Sequence, residues 1–548
     1  MYNLTAVLCL SIMLMPSLLQ GHPLPEAGPR SFKSDDAFLD YVERQTFRYF
    51  WDEANPRNGL IRDRSGEGSP CSIAAVGFGL SAINIAVERG WIERADGATR
   101  VLRTLQTLWD TPQGARATGC AGYHGWFYHF LDMNTGTRAP GSELSSIDTA
   151  LLMMGVIDAG QFYDRPADPA EARIRQLSAQ LLSRLDWKFM VDPKEQLVNM
   201  DWNPERGFGA ARWVGYNEGS CLYLLALGGA TNALPFSLWD GWTRGYHWCD
   251  CYGQTLLPEP ALFTHQYSQV WIDFRGIADN CMRQRHSGYF ENTRVATLVQ
   301  QHYAVENPRR FPNYGTNEWG FTACDGPDKV VDGVFYPGYL ARGAPAGIDD
   351  GTIAPTAAAS SLPFAPETCL ATLRHLYDTY GNKLWTTEGF RDAYNVKARW
   401  FAKDLLGIDQ GPALLMIENY RTGSTWSRMM ASATIQRGLE RAGFTAPPPD
   451  RVEAKSLGPD RVEVSWRDRS PYPTAFRVES STNNKDFTLA AEVGADINHV
   501  YLQTTRGETH YFRVRTVCAA GLSGYRETVL FVASAKDAQD IPGPLAKR

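Results

Sequence analysis

The 548-residue chain lacks any run or stripe of lysine and arginine, and its formal net charge is only −6. Without a basic field there is no electrostatic footprint for nucleic acid or for an anionic membrane, so neither is expected as a partner. Beyond the first twenty residues no stretch is apolar enough to cross a bilayer, and a soluble mature protein is expected. A P-loop, a Gly-x-Ser-x-Gly elbow and a His-Glu-x-x-His motif are also missing, which removes the usual marks of nucleotide, α/β-hydrolase and zinc-protease chemistry. Gly77-Phe78-Gly79-Leu80-Ser81-Ala82 has the letters of a dinucleotide loop but lies within a helical apolar repeat with no strand before it. Close helix packing is its expected role. Of the ten cysteines, Cys9 falls in the leader, and the odd remainder leaves at least one thiol unpaired. In His247-Trp248-Cys249-Asp250-Cys251 a single residue separates the cysteines, whereas common zinc sites use two to four. A disulfide partner or packed thiol is expected there, and no metal.

Aromatic residues, in contrast, are plentiful, at 12% with 16 tryptophans, more than a core alone usually needs. The apolar run Leu4 to Leu19, followed by Gly21, has the length of a signal-peptide core and is too short for a membrane span, although Met1-Tyr2-Asn3 carries no basic residue. Residues 1–21 are therefore expected to direct export, to the periplasm or the medium.

From about residue 34 to 444 the periodicity is helical. Ile73, Val76, Leu80, Ile83 and Val87 recur at spacings of three and four, and Ile147, Leu151 and Met154 repeat the pattern. Further helices are expected at 37–52, 98–109, 170–188, 219–227, 266–281, 294–303, 367–379, 389–404 and 427–441, separated by loops rich in Gly, Pro and Asn. A dozen helices with polar groups gathered near helix starts suit an α/α toroid. Thr445-Ala446-Pro447-Pro448-Pro449 reads as a stiff linker. Beyond it Val462–Trp466, Ala475–Ser480 and His510–Val517 alternate apolar and polar residues with period two, as strands do. Residues 450–535 look like a fibronectin type III sandwich, and 536–548 form a polar tail.

The chemistry concentrates in carboxylates set among aromatics, the make-up of a sugar-cleaving cleft. Glu218 follows Gly215-Tyr216-Asn217 and precedes the apolar run Cys221–Leu225, which places it at the mouth of a helix. It is the first candidate for a catalytic acid, although a carboxylate there also suits the helix dipole beside an Asn cap. Asp148 closes Ser145-Ser146-Ile147-Asp148, a capping-box pattern, so capping and catalysis are both open to it. Glu143 lies on the preceding loop, free to enter a cleft or to remain solvated. Asp409, Glu418 and Arg421, with Glu318 in Asn317-Glu318-Trp319-Gly320, mix acid, amide, aromatic and Arg as a ligand with many hydroxyls requires; they could equally form structural ion pairs. Trp126, Tyr128, His129, Trp202, Trp213, Trp271 and Trp319 are candidate sugar platforms.

Eight blocks spread in order over residues 34–442 resemble the bacterial glycoamylase domain, glycoside hydrolase family 144, the β-1,2-glucanases. They include Thr46–Trp51, Gly125–Asp132, Ser146–Leu151, Tyr216-Asn217-Glu218, His265–Gly276, Asn317–Gly320, Ile353–Ala357 and Gly411-Pro412 through Arg421. The resemblance implies a mainly α protein with an (α/α)6 barrel, inverting hydrolysis of a β-glucan or oligosaccharide, and no cofactor. Its acidic cleft residues carry over onto Glu218, Asp148 and Glu143, with substrate contacts among Trp126, Tyr128, His129, Asn217, Trp271, Glu318, Trp319, Asp409, Glu418 and Arg421. The Cys-rich stretch around 240–260 and the C-terminal strands depart from the family pattern. A non-catalytic glycan-binding protein that keeps the barrel is the rival expectation; the retained acids favour the enzyme.

Overall fold

A computed structural model describes residues 30–532, apart from 231, 471–472, 519–520 and 526–527; the expected leader and polar tail lie outside the described residues. Helices dominate up to residue 441, interleaved with two- and three-stranded sheets, and antiparallel strands follow from Asp450. None of the described helices is long and apolar enough to cross a membrane.

Two helices buried along nearly their whole length form the frame. Ile73–Glu88 and Ser146–Phe162 each begin at a serine whose hydroxyl accepts a first-turn N–H: Ser72 from Ala75 and Ser145 from Asp148. They cross at glycines. A Cβ on Gly77 would lie 2.4 Å from the Leu151 carbonyl oxygen, and one on Gly155 would lie 2.0 Å from that of Gly77. In the apparent dinucleotide loop Gly77 thus serves backbone contact and Gly79 leaves room for the Ile61 and Phe50 side chains, close packing of the kind expected from its place in the apolar repeat. The starts of both helices are pinned by short ladders, Cys71–Ser72 against Phe130–Leu131 and Leu144–Ser145 against Asp201–Trp202. Those ladders bring two distant segments of the sequence to one end of the frame.

Several expected helices agree closely with the structure, including Asp35–Asp52, Arg94–Asp110, Ser220–Gly228 and Pro366–Leu384. Two do not. Residues 266–281 break into the short turns Phe263–Gln266, Tyr267–Val270 and Asn280–Gln284, because buried His265, Gln266 and Gln269 spend their polar atoms on tertiary partners. Residues 389–404 form the strands Gly389–Phe390, Tyr394–Asn395 and Trp400–Phe401. Conversely, Asp409 to Arg421, outside the expected helices, lie in the helix Gly407–Arg421, which carries Pro412 near its start.

After residue 449 the strands form two antiparallel sheets that share a core of Val462, Val464, Trp466, Phe476, Val478, Phe512 and Val514. The Pro-rich junction is not a free tether: Thr445 exchanges both backbone hydrogen bonds with Ala278, and Thr516 Oγ1 donates to the Pro447 carbonyl at 3.0 Å. Cys249 and Cys251 are free thiols on a hairpin, and among the described residues no cluster could hold a metal ion.

Candidate active site

A cavity of about 380 Å³ opens where several helices begin. Its walls take Ser72 from the cap of Ile73–Glu88, Ile147 and Asp148 from the first turn of Ser146–Phe162, and Glu218 from just ahead of Ser220–Gly228. Phe263 and Tyr267 are contributed by the broken segment, and Leu406 and Ile408 by the start of Gly407–Arg421. Helix N-termini carry partial positive charge, so this end of the frame favours carboxylates.

Glu218 is fixed through its backbone. Its carbonyl accepts the Ser268 hydroxyl at 2.6 Å, and Ser268 Oγ in turn accepts the Cys221 N–H. Asn217 sits beside it but turns away, its Oδ1 accepting from Gly219 N–H and Trp242 Nε1. Asn217 does not cap the helix, whose N-cap is Gly219 without a side-chain cap; it closes a turn ahead of it and is not on the cavity wall. No ion pair to Glu218 forms among the described residues. Burial pushes its carboxyl up to about 7, against the pull of its own backbone N–H, and the nearby Asp148 and Glu259 raise it further. Such a group keeps a large share of its proton near neutrality, as a general acid requires.

Asp148 joins the Ser145 cap and also lies on the cavity wall. The Ser145 hydroxyl accepts the Asp148 N–H at 3.2 Å and donates to Oδ2. The other oxygen, Oδ1, is 3.6 Å from His129 Nε2 and borders the cavity. His129 bridges two acids, since its Nδ1 lies 2.8 Å from Glu143 Oε1. Burial opposes its charge, but Asp148, Glu143 and Asp63 outweigh burial and lift the imidazole to about 9, so it is an imidazolium at neutral pH. Burial pushes the Glu143 carboxyl up, but its bond to His129 wins and holds it below the ordinary range. Glu143 thus acts on the cavity through His129.

The remaining expected contacts separate. Trp126, Tyr128, Trp271 and Trp319 are fully buried, so they are core residues and not sugar platforms. Trp126 donates to the Asp186 carbonyl, and Trp271 stacks on Phe78 while donating to Ser81. Trp213 is buried and donates to Ser146, whereas Trp202 stays half-exposed in a ring cluster with Tyr123 and Phe189. Glu318 is locked by Asn313, His375, Tyr380 and Tyr394. Glu418 and Arg421 are held in ion pairs with Arg89 and Glu43 at the far end of their helix. Neither end of that network reaches the cavity, because Arg89 at the end of Ile73–Glu88 claims Glu418 and the helix Asp35–Asp52 claims Arg421. Asp409 lies behind the wall, reached from it through Tyr267, whose hydroxyl donates to Oδ1 at 3.3 Å.

Reasoning from sequence missed Asp63, Arg64, Tyr267 and Tyr339, all of which border the cavity. Asp63 and Arg64 sit in the loop Arg62–Gly68, whose only signal is a cluster of charge without periodicity. Arg64 Nη1 donates to Asp325 at 3.1 Å, and the Asp325 N–H donates to buried Asp392 at 2.6 Å. Asp392 and Asp409 are hydrogen-bonded buried carboxyls: burial raises both, Asp325 adds to the rise of Asp392, and Asp392 adds to that of Asp409.

A helical frame with carboxyls converging on a cavity at its helix N-termini defines a carbohydrate-hydrolase type of site. Comparison with known proteins makes the family specific. Residues 210–433 match the Glycoamylase family model, described as "Putative glucoamylase". A solved "putative glucoamylase" from Bacteroides uniformis is 34% identical, with a TM-score of 0.68, covering 76% of this chain and 99% of that one. An endo-β-1,2-glucanase from Chitinophaga pinensis, solved with sophorotriose and glucose, is 28% identical at a TM-score of 0.68, with 76% and 99% covered. An exo β-1,2-glucooligosaccharide sophorohydrolase from Parabacteroides distasonis is 29% identical over 444 residues, 74% of this chain and 58% of that protein; the chain thus spans little more than half the length of this curated relative. The protein belongs to the glycoamylase family.

Proposed function

We propose that the protein is an exported glycoside hydrolase that cleaves β-1,2-glucan with inversion at the anomeric carbon. The observation that carries this reading is Glu218, a carboxyl without a cation, raised to about 7, on the wall of a cavity it shares with Asp148. The two relatives named for β-1,2-linked glucans supply the substrate class. In this scheme Glu218 protonates the departing glycosidic oxygen. Water attacks the opposite face of the ring, activated by Asp148 directly, or by Asp409 through the Tyr267 hydroxyl once Asp409 has given up the proton that burial favours on it, while Glu143 orients His129 against Asp148. The helices then close as an (α/α)6 barrel over residues 34–444, and residues 450–535 form a fibronectin type III-like unit. The apolar stretch Leu4–Leu19 supports export to the periplasm or medium.

A reducing-sugar assay on linear β-1,2-glucan, with the fresh product followed by NMR, tests the scheme. Release of the α-anomer first is expected, since inverting a β-linkage must produce it. The β-anomer first would sink the inverting mechanism, and binding without cleavage would favour the rival glycan-binding reading. Comparing Asp148→Asn with Asp409→Asn then decides between the two routes to water, because azide can replace only the base that touches it.

A further inference from the structure

The segment between the paired strands Ala323–Cys324 and Leu340–Ala341 projects as a hairpin. Its strands Lys329–Val331 and Val334–Tyr336 pair in register around Asp332-Gly333, both at positive φ, as a type I′ turn requires. On most hairpins the outer positions are polar. Here Val330 and Phe335 face each other across the ladder and are 64% and 61% exposed, Val334 is 51% exposed, and Tyr339 at the base is 53% exposed. Valine and phenylalanine on a solvated face gain nothing from folding, and an exposed apolar patch of this kind marks a contact surface.

The position of the patch says what it contacts. Tyr339 and Ala323, at the root of the hairpin, both line the cavity that holds Glu218. The root itself is rigid, since Asp325 is tied to Arg64 and Asp392, and Arg342 donates to the carbonyls of Cys324, Pro337 and Gly338 and pairs with Asp350. At about 380 Å³ the cavity is near the small end of ligand pockets, which run from roughly 300 to 1,000 Å³. A polymeric ligand must therefore leave it through the mouth, and on this side the lining residue Tyr339 leads directly into the exposed hairpin that carries Phe335. Aromatic rings offer pyranose faces the apolar surface they prefer.

We infer that Tyr339 and the Val330/Phe335 face of the hairpin form an outer binding subsite for the part of a glucan chain that extends beyond the cavity, so that this hairpin sets the preference for long over short substrates. The inference rests on the glucan-hydrolase reading above. The test uses full-length protein carrying Glu218→Gln, so that binding is read without turnover, alone and combined with Val330→Ser/Phe335→Ser. Both hairpin positions are exposed, and an unchanged melting curve confirms that the combined variant is folded. By calorimetry, Kd for long linear β-1,2-glucan is expected to rise about 3- to 10-fold in the hairpin variant, the scale of losing one ring contact, while Kd for the β-1,2-linked glucose trimer stays unchanged. With Glu218 restored, KM for the polymer should rise at constant kcat. Equal effects on polymer and trimer, or no effect on either, would overturn the subsite. So would a change in light-scattering mass or in sedimentation with phosphatidylglycerol vesicles without a change in glucan binding, because the patch would then serve a second copy or a lipid surface. If the Glu218→Gln parent binds no glucan of any length, the glucan-hydrolase reading itself fails and takes the subsite with it.

Discussion

The two ends of the helix Gly407–Arg421 carry the same kind of residue, a buried carboxyl, in opposite circumstances. At its last turn Glu418 Oε2 accepts from Arg89 Nε and Nη2 at 2.8 and 2.6 Å, and Oε1 accepts from Thr422 and Ser424. Beside it Arg421 holds Glu43 and reaches Asp36 and Asp40. Burial alone would raise Glu418, but its hydrogen bonds to Glu43, Thr422 and Arg89 keep it below the ordinary range. At the first turn Asp409 Oδ2 is buried without a hydrogen-bond donor, and the neighbouring cavity holds Glu218, also unpaired. Under the proposed scheme, what separates Glu218 from Glu418 is not burial but the donors around the carboxyl: desolvation without them raises Glu218 toward the range where it can donate a proton, whereas Arg89 and the Thr422 hydroxyl keep Glu418 charged.

Removing the proton from the working end should have the largest effect. Glu218→Gln keeps the shape and loses the donor, and a fall in kcat of about 10²–10⁴ on β-1,2-glucan is expected, since that is the scale of general acid catalysis. The wild-type rate should also decline as pH rises through about 7, where Glu218 loses its proton, and the residual rate of the variant should lack that limb. The same group carries a stability signature of defined sign. Its folded pKa lies above the unfolded one, so stability is greatest below about 4.5 and declines as pH climbs toward 7. Glu218→Gln should flatten that slope in urea melts taken across the window. A variant with near wild-type turnover and an intact basic limb would remove Glu218 from the role.

At the structural end the expected loss is in stability and not in chemistry. Arg421→Met takes the nearest cation from Glu43 and the partner of Asp36 and Asp40, leaving Glu43 only Arg89 at 3.8 Å. Because burial and Glu418 raise the Glu43 carboxyl, it can take up a proton, and the loss should stay below the about 3–5 kcal/mol of an uncompensated buried charge. The urea midpoint should fall accordingly, while the folded fraction keeps its turnover. An unchanged midpoint would mean that Arg89 alone compensates both glutamates, and the contrast between the helix ends would lose its basis.

This contrast also explains which parts of the site were legible in the sequence. Glu218, Asp148, Glu143 and His129 stand in segments where a helix start and a polar loop leave a local trace, and the structure brings all four to one cavity or its immediate backing. Glu418 and Arg421 have equally suggestive letters, but their partners Glu43 and Arg89 lie more than 300 residues away, and no local pattern announces a pairing of that span. The tryptophans failed for a related reason. An aromatic that fills a core and one that greets a sugar differ only in what covers the outer face. Asp63, Tyr267 and Tyr339 come from irregular loops that only the closed fold assembles. The broken helix at 266–281 shows tertiary hydrogen bonds overriding propensity in the same way.

A smaller effect should come from the frame that holds the working end in place. Gly155→Ala sets a methyl 2.0 Å from the Gly77 carbonyl oxygen, so the helices Ile73–Glu88 and Ser146–Phe162 must separate. Overpacking of this kind costs about 1–3 kcal/mol. Because the displaced helix carries Asp148 at its start, kcat should fall several-fold along with the melting temperature. A loss of stability with unchanged kcat would show that the ladder Leu144–Ser145 holds Asp148 independently of the crossing.

The least effect is expected from removing the C-terminal strands, provided the cut respects the junction. A truncation after Phe444 would delete Thr445, whose backbone exchanges two hydrogen bonds with Ala278 and whose Oγ1 accepts from Arg283, and Ala446, which is buried in the helical core. A truncation after Pro449 keeps all of these and gives up the Thr516–Pro447 bond. The strands have a hydrophobic core of their own, and among the described residues none beyond 408 borders the cavity, so kcat and KM on soluble glucan should stay within about twofold of the full chain, in line with independently cored units. A folded truncation after Pro449 that has lost activity would show that the strand region steadies the helical one through the junction, and the working end would then depend on contacts well outside its own helices.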